Sequence, residues 1–231
     1  MVFSKPNSTK KKGLAIALAC MMALGLAGAY AKYITDEDNN GNARVAKWGV
    51  TITANSGDLF STTYKDANEA AVVTSSGSDN VVAPGTSGSF AGFTLGGTPE
   101  VAVKVSTDAT FAITGWSIPS GESTAYYCPL KVTVGDTSFY GLDYESADAF
   151  VAAVNNCIKG FSKEYAPNTN LASKSADVPA VSWEWAFEGA NGSKVNRTDA
   201  SDTALGNLAT APTVSFMEKV TVTQINAMTA H

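Results

Sequence analysis

Residues 181–188 read Val-Ser-Trp-Glu-Trp-Ala-Phe-Glu. In an extended chain, side chains alternate between two faces. Val181, Trp183, Trp185 and Phe187 therefore point one way, and Ser182, Glu184, Ala186 and Glu188 the other. This is a half-buried strand with a solvated acidic face, and it limits the fold to a packed sheet architecture. Related signals recur along the chain. Residues 45–54 alternate through Val50 and Ile52, residues 89–94 form a short run, and residues 100–107 alternate through Val101, Val103 and Val105. Residues 111–118 and 130–134 continue the series, and residues 213–225 close it through Val214, Phe216, Val220 and Val222.

Turn residues separate these runs. In Ala83-Pro84-Gly85-Thr86-Ser87-Gly88, Pro84 fixes φ and Gly85 tolerates positive φ; Gly96-Gly97-Thr98-Pro99 turns the chain again. Many short strands with such punctuation point to an antiparallel β-sandwich or barrel. One helix is expected near 146–159. Ser146 caps it, Asp148 suits its first turn and Gly160 closes it, while Phe150, Val151, Val154, Cys157 and Ile158 share one face. Residues 160–180 read as a loop, and residues 189–202 as a polar, mobile stretch. No domain boundary is expected after residue 45, so residues 45–231 are read as one β domain.

The first 31 residues have a different character. Lys5 and Lys10-Lys11-Lys12 precede an apolar run over 13–29, which ends at Ala29-Tyr30-Ala31. A basic start, an apolar middle and small residues predict a secretory signal over 1–31, cut before Lys32. A retained membrane anchor competes, since the run approaches spanning length. Lipid attachment at Cys20 fits less well, because Ala17 stands where a leucine is usual. Cleavage would remove four lysines and no acidic residue, taking the net charge from −5 to −9. An acidic body does not attract nucleic acid or an anionic membrane surface.

Between the cut and the β domain lies a stub, residues 32–44. Lys32, Tyr33, Ile34 and Thr35 could form a short strand, and residues 36–42 make an acidic, turn-prone tether. Asp36, Asp38, Asn40 and Gly41 mimic part of a calcium loop, but Lys47 stands where the bidentate glutamate belongs. An exported compartment permits a disulfide between Cys128 and Cys157; two separate thiols remain the alternative.

Catalytic patterns are sparse. The single histidine, His231, excludes a histidine-pair zinc site, a Ser-His-Asp triad and a Cys-His dyad. Glu184 and Glu188 could suggest glycoside hydrolysis, but alternation sets them on the face opposite the tryptophans. No cofactor is expected. A carbohydrate-binding module would use Trp48, Trp116, Trp183, Trp185, Tyr126 and Tyr127 as platforms, although most fit inward positions.

Several stretches taken in order carry a resemblance. Ala43-Arg44-Val45-Ala46-Lys47-Trp48 follows the signal, then come Ala83–Gly88, Thr98-Pro99-Glu100-Val101, Trp183-Glu184-Trp185 and Asp202-Thr203-Ala204-Leu205-Gly206. Together, with Arg44, Val45, Ala46 and Trp48 at their head, they resemble the TasA/camelysin family of exported bacterial matrix proteins. The resemblance covers most of the chain after the signal. It implies processing by a SipW-type signal peptidase and a mainly β, jelly-roll-like antiparallel β-sandwich with one or two short helices. It further implies a secreted subunit of a biofilm matrix fibre, located in the extracellular matrix or at the cell surface. Such subunits polymerise head to tail by donating an N-terminal strand, here Lys32–Thr35, and accessory matrix proteins are possible partners. Camelysin-like members are also classed as metalloproteases, an activity this sequence cannot support with a histidine pair.

Overall fold

The computed structural model describes residues 44–55, 59–90, 92–186, 198–226 and 228. The signal residues Ala29, Ala31 and Lys32, the stub Lys32–Thr35, the acidic turn 36–42, Phe187 and Glu188 lie outside the described residues. Residues from Lys47 onward form one unit. It is mainly β, with antiparallel sheets and short helices.

Thirteen strands are present among the described residues: β1 Thr51–Ala54, β2 Thr63–Lys65, β3 Ala71–Thr74, β4 Thr86–Phe90, β5 Phe93–Gly96, β6 Val103–Thr114, β7 Ser117–Ser120, β8 Ser123–Tyr126, β9 Lys131–Val134, β10 Thr137–Tyr140, β11 Ser162–Tyr165, β12 Val181–Trp185 and β13 Thr213–Gln224. Two sheets carry the core. One is four-stranded, in the order β10-β9-β12-β4; the other is three-stranded, in the order β11-β6-β13. Their inward side chains meet in one cluster. Ala109 and Phe111 of β6 lie with Val132 and Val134 of β9 and with Val181, Trp183 and Trp185 of β12. A second cluster joins Leu95 of β5 to Val103, Val105, Tyr165 and Val220. The smaller pairs β1-β5, β2-β3 and β7-β8 are hairpins or two-stranded ribbons.

The expected helix forms as α1, Ala147–Lys159. Ser146 Oγ accepts from the Ala149 N–H at 3.2 Å, a cap worth about 1 kcal/mol. Phe150, Val154 and Ile158 are buried from one face, each stabilising by about 1.5–3 kcal/mol. Gly160 ends the helix with a right-handed φ of −69°, so here the glycine's left-handed freedom is not used. Phe111 N–H donates to Asn155 Oδ1 at 2.7 Å, and Asn155 Nδ2 donates back to the Phe111 carbonyl at 2.9 Å, locking α1 onto β6.

Four expectations need correction. The alternation predicts separate strands over 100–107 and 111–118, yet β6 runs unbroken through Asp108-Ala109-Thr110. Asp108 is exposed there and ion-pairs with Lys159 at 3.4 Å. The expected strand 89–94 is instead split into β4 and β5 around Gly92, whose φ is +73°. The expected loop 160–180 holds β11 and a 3-10 segment, Leu171–Asp177. Asp177 ties those two together, accepting from Lys163 Nζ at 2.9 Å and from Tyr165 OH at 2.7 Å. These donors hold its carboxyl below the usual range. The polar stretch 189–202 ends in a second helix, α2 Asp199–Gly206, capped by Thr198 Oγ1.

Candidate functional site

The most chemically distinctive place in the described residues is a cleft of about 280 Å³ between the two main sheets. Leu59, Phe60, Asn80, Phe90, Phe216, Met217 and Glu218 line it. Phe90 belongs to β4 and the last three to β13. These are the terminal strands of their sheets among the described residues, so the cleft is lined by the last strand of each. β13 is the longer, paired with β6 along all twelve of its residues, from Thr213–Thr114 to Gln224–Val103. Its other side has no neighbouring strand among the described residues.

The wall formed by residues 59–60 is held by a close approach. Trp183 Nε1 donates to the Leu59 carbonyl at 2.7 Å, and Phe60 and Tyr64 flank the same indole, with ring centroids 5.5 and 6.1 Å away. Gly88 makes this possible. A Cβ there would collide with the Leu59 carbonyl oxygen and crowd Trp183 Nε1. The turn Ala83–Gly88 thus has a local rationale. Gly85 has φ +81°, Thr86 Oγ1 accepts from Ala83 N–H and donates to its carbonyl, and Gly88 admits the 59–60 segment.

Glu218 is the anomaly in this cleft. It sits at an inward phase of β13, between Phe216 and Val220, opposite buried Ala109 of β6. Neither carboxylate oxygen touches solvent or has a hydrogen-bond partner among the described residues. Burial pushes its carboxyl up to about 7, because desolvation penalises the charged form. No other lining side chain is ionisable. The alternation over 213–225, carried by Val214, Phe216, Val220 and Val222, does not single out this residue. The signal was available, since a strict period of two puts position 218 on the same face.

At the rim of the cleft, Met217 is 65% exposed, a large apolar side chain at an outward phase of β13.

The other sequence-derived residues are scattered. Arg44, Val45, Ala46 and Trp48 are exposed, Trp48 at 41%. Just beyond them, Lys47 N–H donates to Glu100 Oε2 at 2.9 Å while Glu100 N–H donates to the Lys47 carbonyl at 2.9 Å, so the Thr98–Val101 stretch anchors the start of the unit. Trp116, Trp183, Trp185 and Tyr127 are buried, and Tyr126 is partly buried, leaving Trp48 as the exposed member of the candidate sugar platforms. Trp116 and Trp185 pack against each other at 5.7 Å. Glu184 faces outward and pairs with Lys131 at 3.6 Å. In Asp202–Gly206, buried Asp202 accepts from Tyr127 OH at 2.7 Å and Leu205 fills the core; the stretch docks α2.

Cys128 and Cys157 are both free thiols. Cys128 is fully buried, and burial pushes its thiol up to about 12, the protonated and unreactive form. Among the described residues, no group of three His, Cys, Asp or Glu side chains could hold a metal ion, and no helix is long and apolar enough to cross a membrane.

No family model, curated protein or solved structure matches the chain.

Proposed function

We propose that this protein is a secreted structural subunit of an extracellular matrix fibre, a jelly-roll-like β-sandwich that polymerises head to tail by strand donation. The stub Lys32–Thr35 of one copy, exposed when a signal peptidase cuts before Lys32, would add to the bare edge of the next. The observation that carries the reading is a pair of strands, β4 and β13, that end their sheets among the described residues and line an aromatic cleft. An unpaired strand edge offers a row of backbone donors and acceptors to another chain. Donated strands draw affinity from those main-chain bonds and selectivity from alternate side chains. A head-to-tail contact that does not close on itself gives a filament. The order of motifs resembling the TasA/camelysin family supports the same reading.

The test is deletion. The chain processed before Lys32 should form fibres visible by electron microscopy, and the same chain lacking Lys32–Thr35 should stay a folded monomer with an unchanged circular dichroism spectrum. Fibres of equal repeat from the deleted chain would overturn strand donation.

A further inference from the structure

Glu218 has no hydrogen-bond partner among the described residues, and the segment Lys32–Thr35 carries one cation, Lys32, able to pair with it. Laid antiparallel against β13, the stub pairs Thr35 with Ser215, Ile34 with Phe216, Tyr33 with Met217 and Lys32 with Glu218. Each pairing joins like to like or opposite to opposite charge: two hydroxyls, two core-facing apolar groups, an aromatic beside an exposed thioether, and a cation beside a carboxylate. Directly opposed side chains in an antiparallel pair have Cβ atoms about 4.5–5.5 Å apart, so in this register the paired side chains would touch. Methionine sulfur also favours an aromatic neighbour.

The competing registers do worse. Parallel addition in the same phase sets Ile34 beside the carboxylate and Lys32 beside Phe216. A slip of one residue turns every side chain to the other face, leaving Ile34 in water and Lys32 away from Glu218. Lys32 is also the residue that would carry the new α-amino group after cleavage, so its position concentrates positive charge at the stub's tip.

We infer that Glu218 is the anchoring group for Lys32 of a second copy, and that it sets the register in which the donated strand adds antiparallel to β13. The inference rests on the strand-donation reading and names its pairing. An unpaired carboxylate in the cleft is unfavourable in the free subunit and satisfied in the assembled one, so it selects a cationic strand tip over an apolar edge of unrelated sequence.

A pH dependence follows. Glu218 faces Leu59, Phe60, Asn80 and Phe90 across the cleft and Ala109 on β6, none of them charged. Along its own strand, Lys219 occupies the outward phase opposite Asp108, which pairs with Lys159. In the free subunit the carboxyl is held up to about 7; beside an ammonium its pKa falls. Assembly therefore releases a proton, strengthens as pH rises through about 7, and weakens toward pH 5.5.

The experiment measures the critical concentration for fibre formation by light scattering and electron microscopy, using the chain processed before Lys32. Glu218→Lys and Lys32→Glu should each raise it about tenfold or more, the scale of close interfacial charge pairs, and the double reversal should return it to within about threefold of the parent. Should Glu218→Lys misfold, Glu218→Gln serves instead: a raised critical concentration with the pH dependence flattened between 5.5 and 8. Singles that assemble like the parent, or a double reversal no better than either single, overturn the Lys32–Glu218 pairing. Deletion of Lys32–Thr35 in parallel separates the two failures: if it abolishes fibres while the charge variants do nothing, donation stands and this register is wrong.

Discussion

Glu218 shows how a single buried carboxyl can leave a folded chain with a polar group unmet. An inward carboxylate on a strand costs stability wherever it is ionised without a partner. Its folded-state pKa, about 7 against an ordinary 4.5, gives the sign of the effect. While protonated it favours the folded chain relative to the unfolded one. That contribution is complete below about pH 4.5 and is lost as pH climbs through about 7. Glu218→Gln has no charge to lose. The variant and parent should therefore melt at similar temperatures near pH 4.5, with the variant gaining an increasing advantage up to pH 8, both measured below the assembly concentration. A constant offset across that range would mean that the carboxylate is solvated. Part of this was legible from the chain, since Val214-x-Phe216-x-x-x-Val220 fixes the phase of β13. The depth of burial was not, because it depends on where Phe60 and Phe90 arrive from distant parts of the chain.

At the scale of elements, strand phase was read more reliably than strand ends. In β12, Val181, Trp183 and Trp185 are buried and Glu184 is exposed, as alternation requires. The boundaries of α1 followed from its cap and apolar face. What failed was punctuation. Asp108 falls in the gap between the two expected runs but lies harmlessly on an outward phase of β6, and Gly92 is a real break inside an expected strand. β11 was hidden because, of Ser162–Tyr165, only Tyr165 is buried, too little pattern to register. α2 was missed because its first turn is acidic and hydroxylic, which suits a helix start but offers little apolar periodicity. Gly88 belongs here as well, since its absent side chain lets the 59–60 segment reach β12. Gly88→Ala should cost at least about 2 kcal/mol by forcing that segment away and breaking the Trp183–Leu59 hydrogen bond. Urea unfolding would measure the loss. Leu59 and Phe60 line the cleft, so weakened assembly should accompany it.

For the whole molecule, the proposed strand donation makes donor and acceptor different surfaces. A chain lacking Lys32–Thr35 keeps its cleft and loses its donor, so it should behave as a terminator. Added at a few per cent to the processed parent, it should shorten fibres in proportion to its fraction while leaving subunit fold and fibre width unchanged. Fibre lengths in electron micrographs would check this, and undiminished lengths would argue that growth does not pass through the stub. None of this asymmetry could be read from the strand pattern alone. The alternation marks which residues face inward, but which strands end a sheet follows from long-range pairing, and the β4 and β13 edges belong to segments more than a hundred residues apart.

The unbroken register of β13 with β6 has a mechanical consequence. A neighbour seated along β13 would pull on its host roughly parallel to the strands, loading the twelve paired positions from Thr213 to Gln224 together. Bonds loaded side by side share the force, whereas bonds peeled from one end rupture in sequence. Tension in such a chain of subunits would therefore be borne in shear by its longest ladder, and the weakest link under load would be the short four-residue stub.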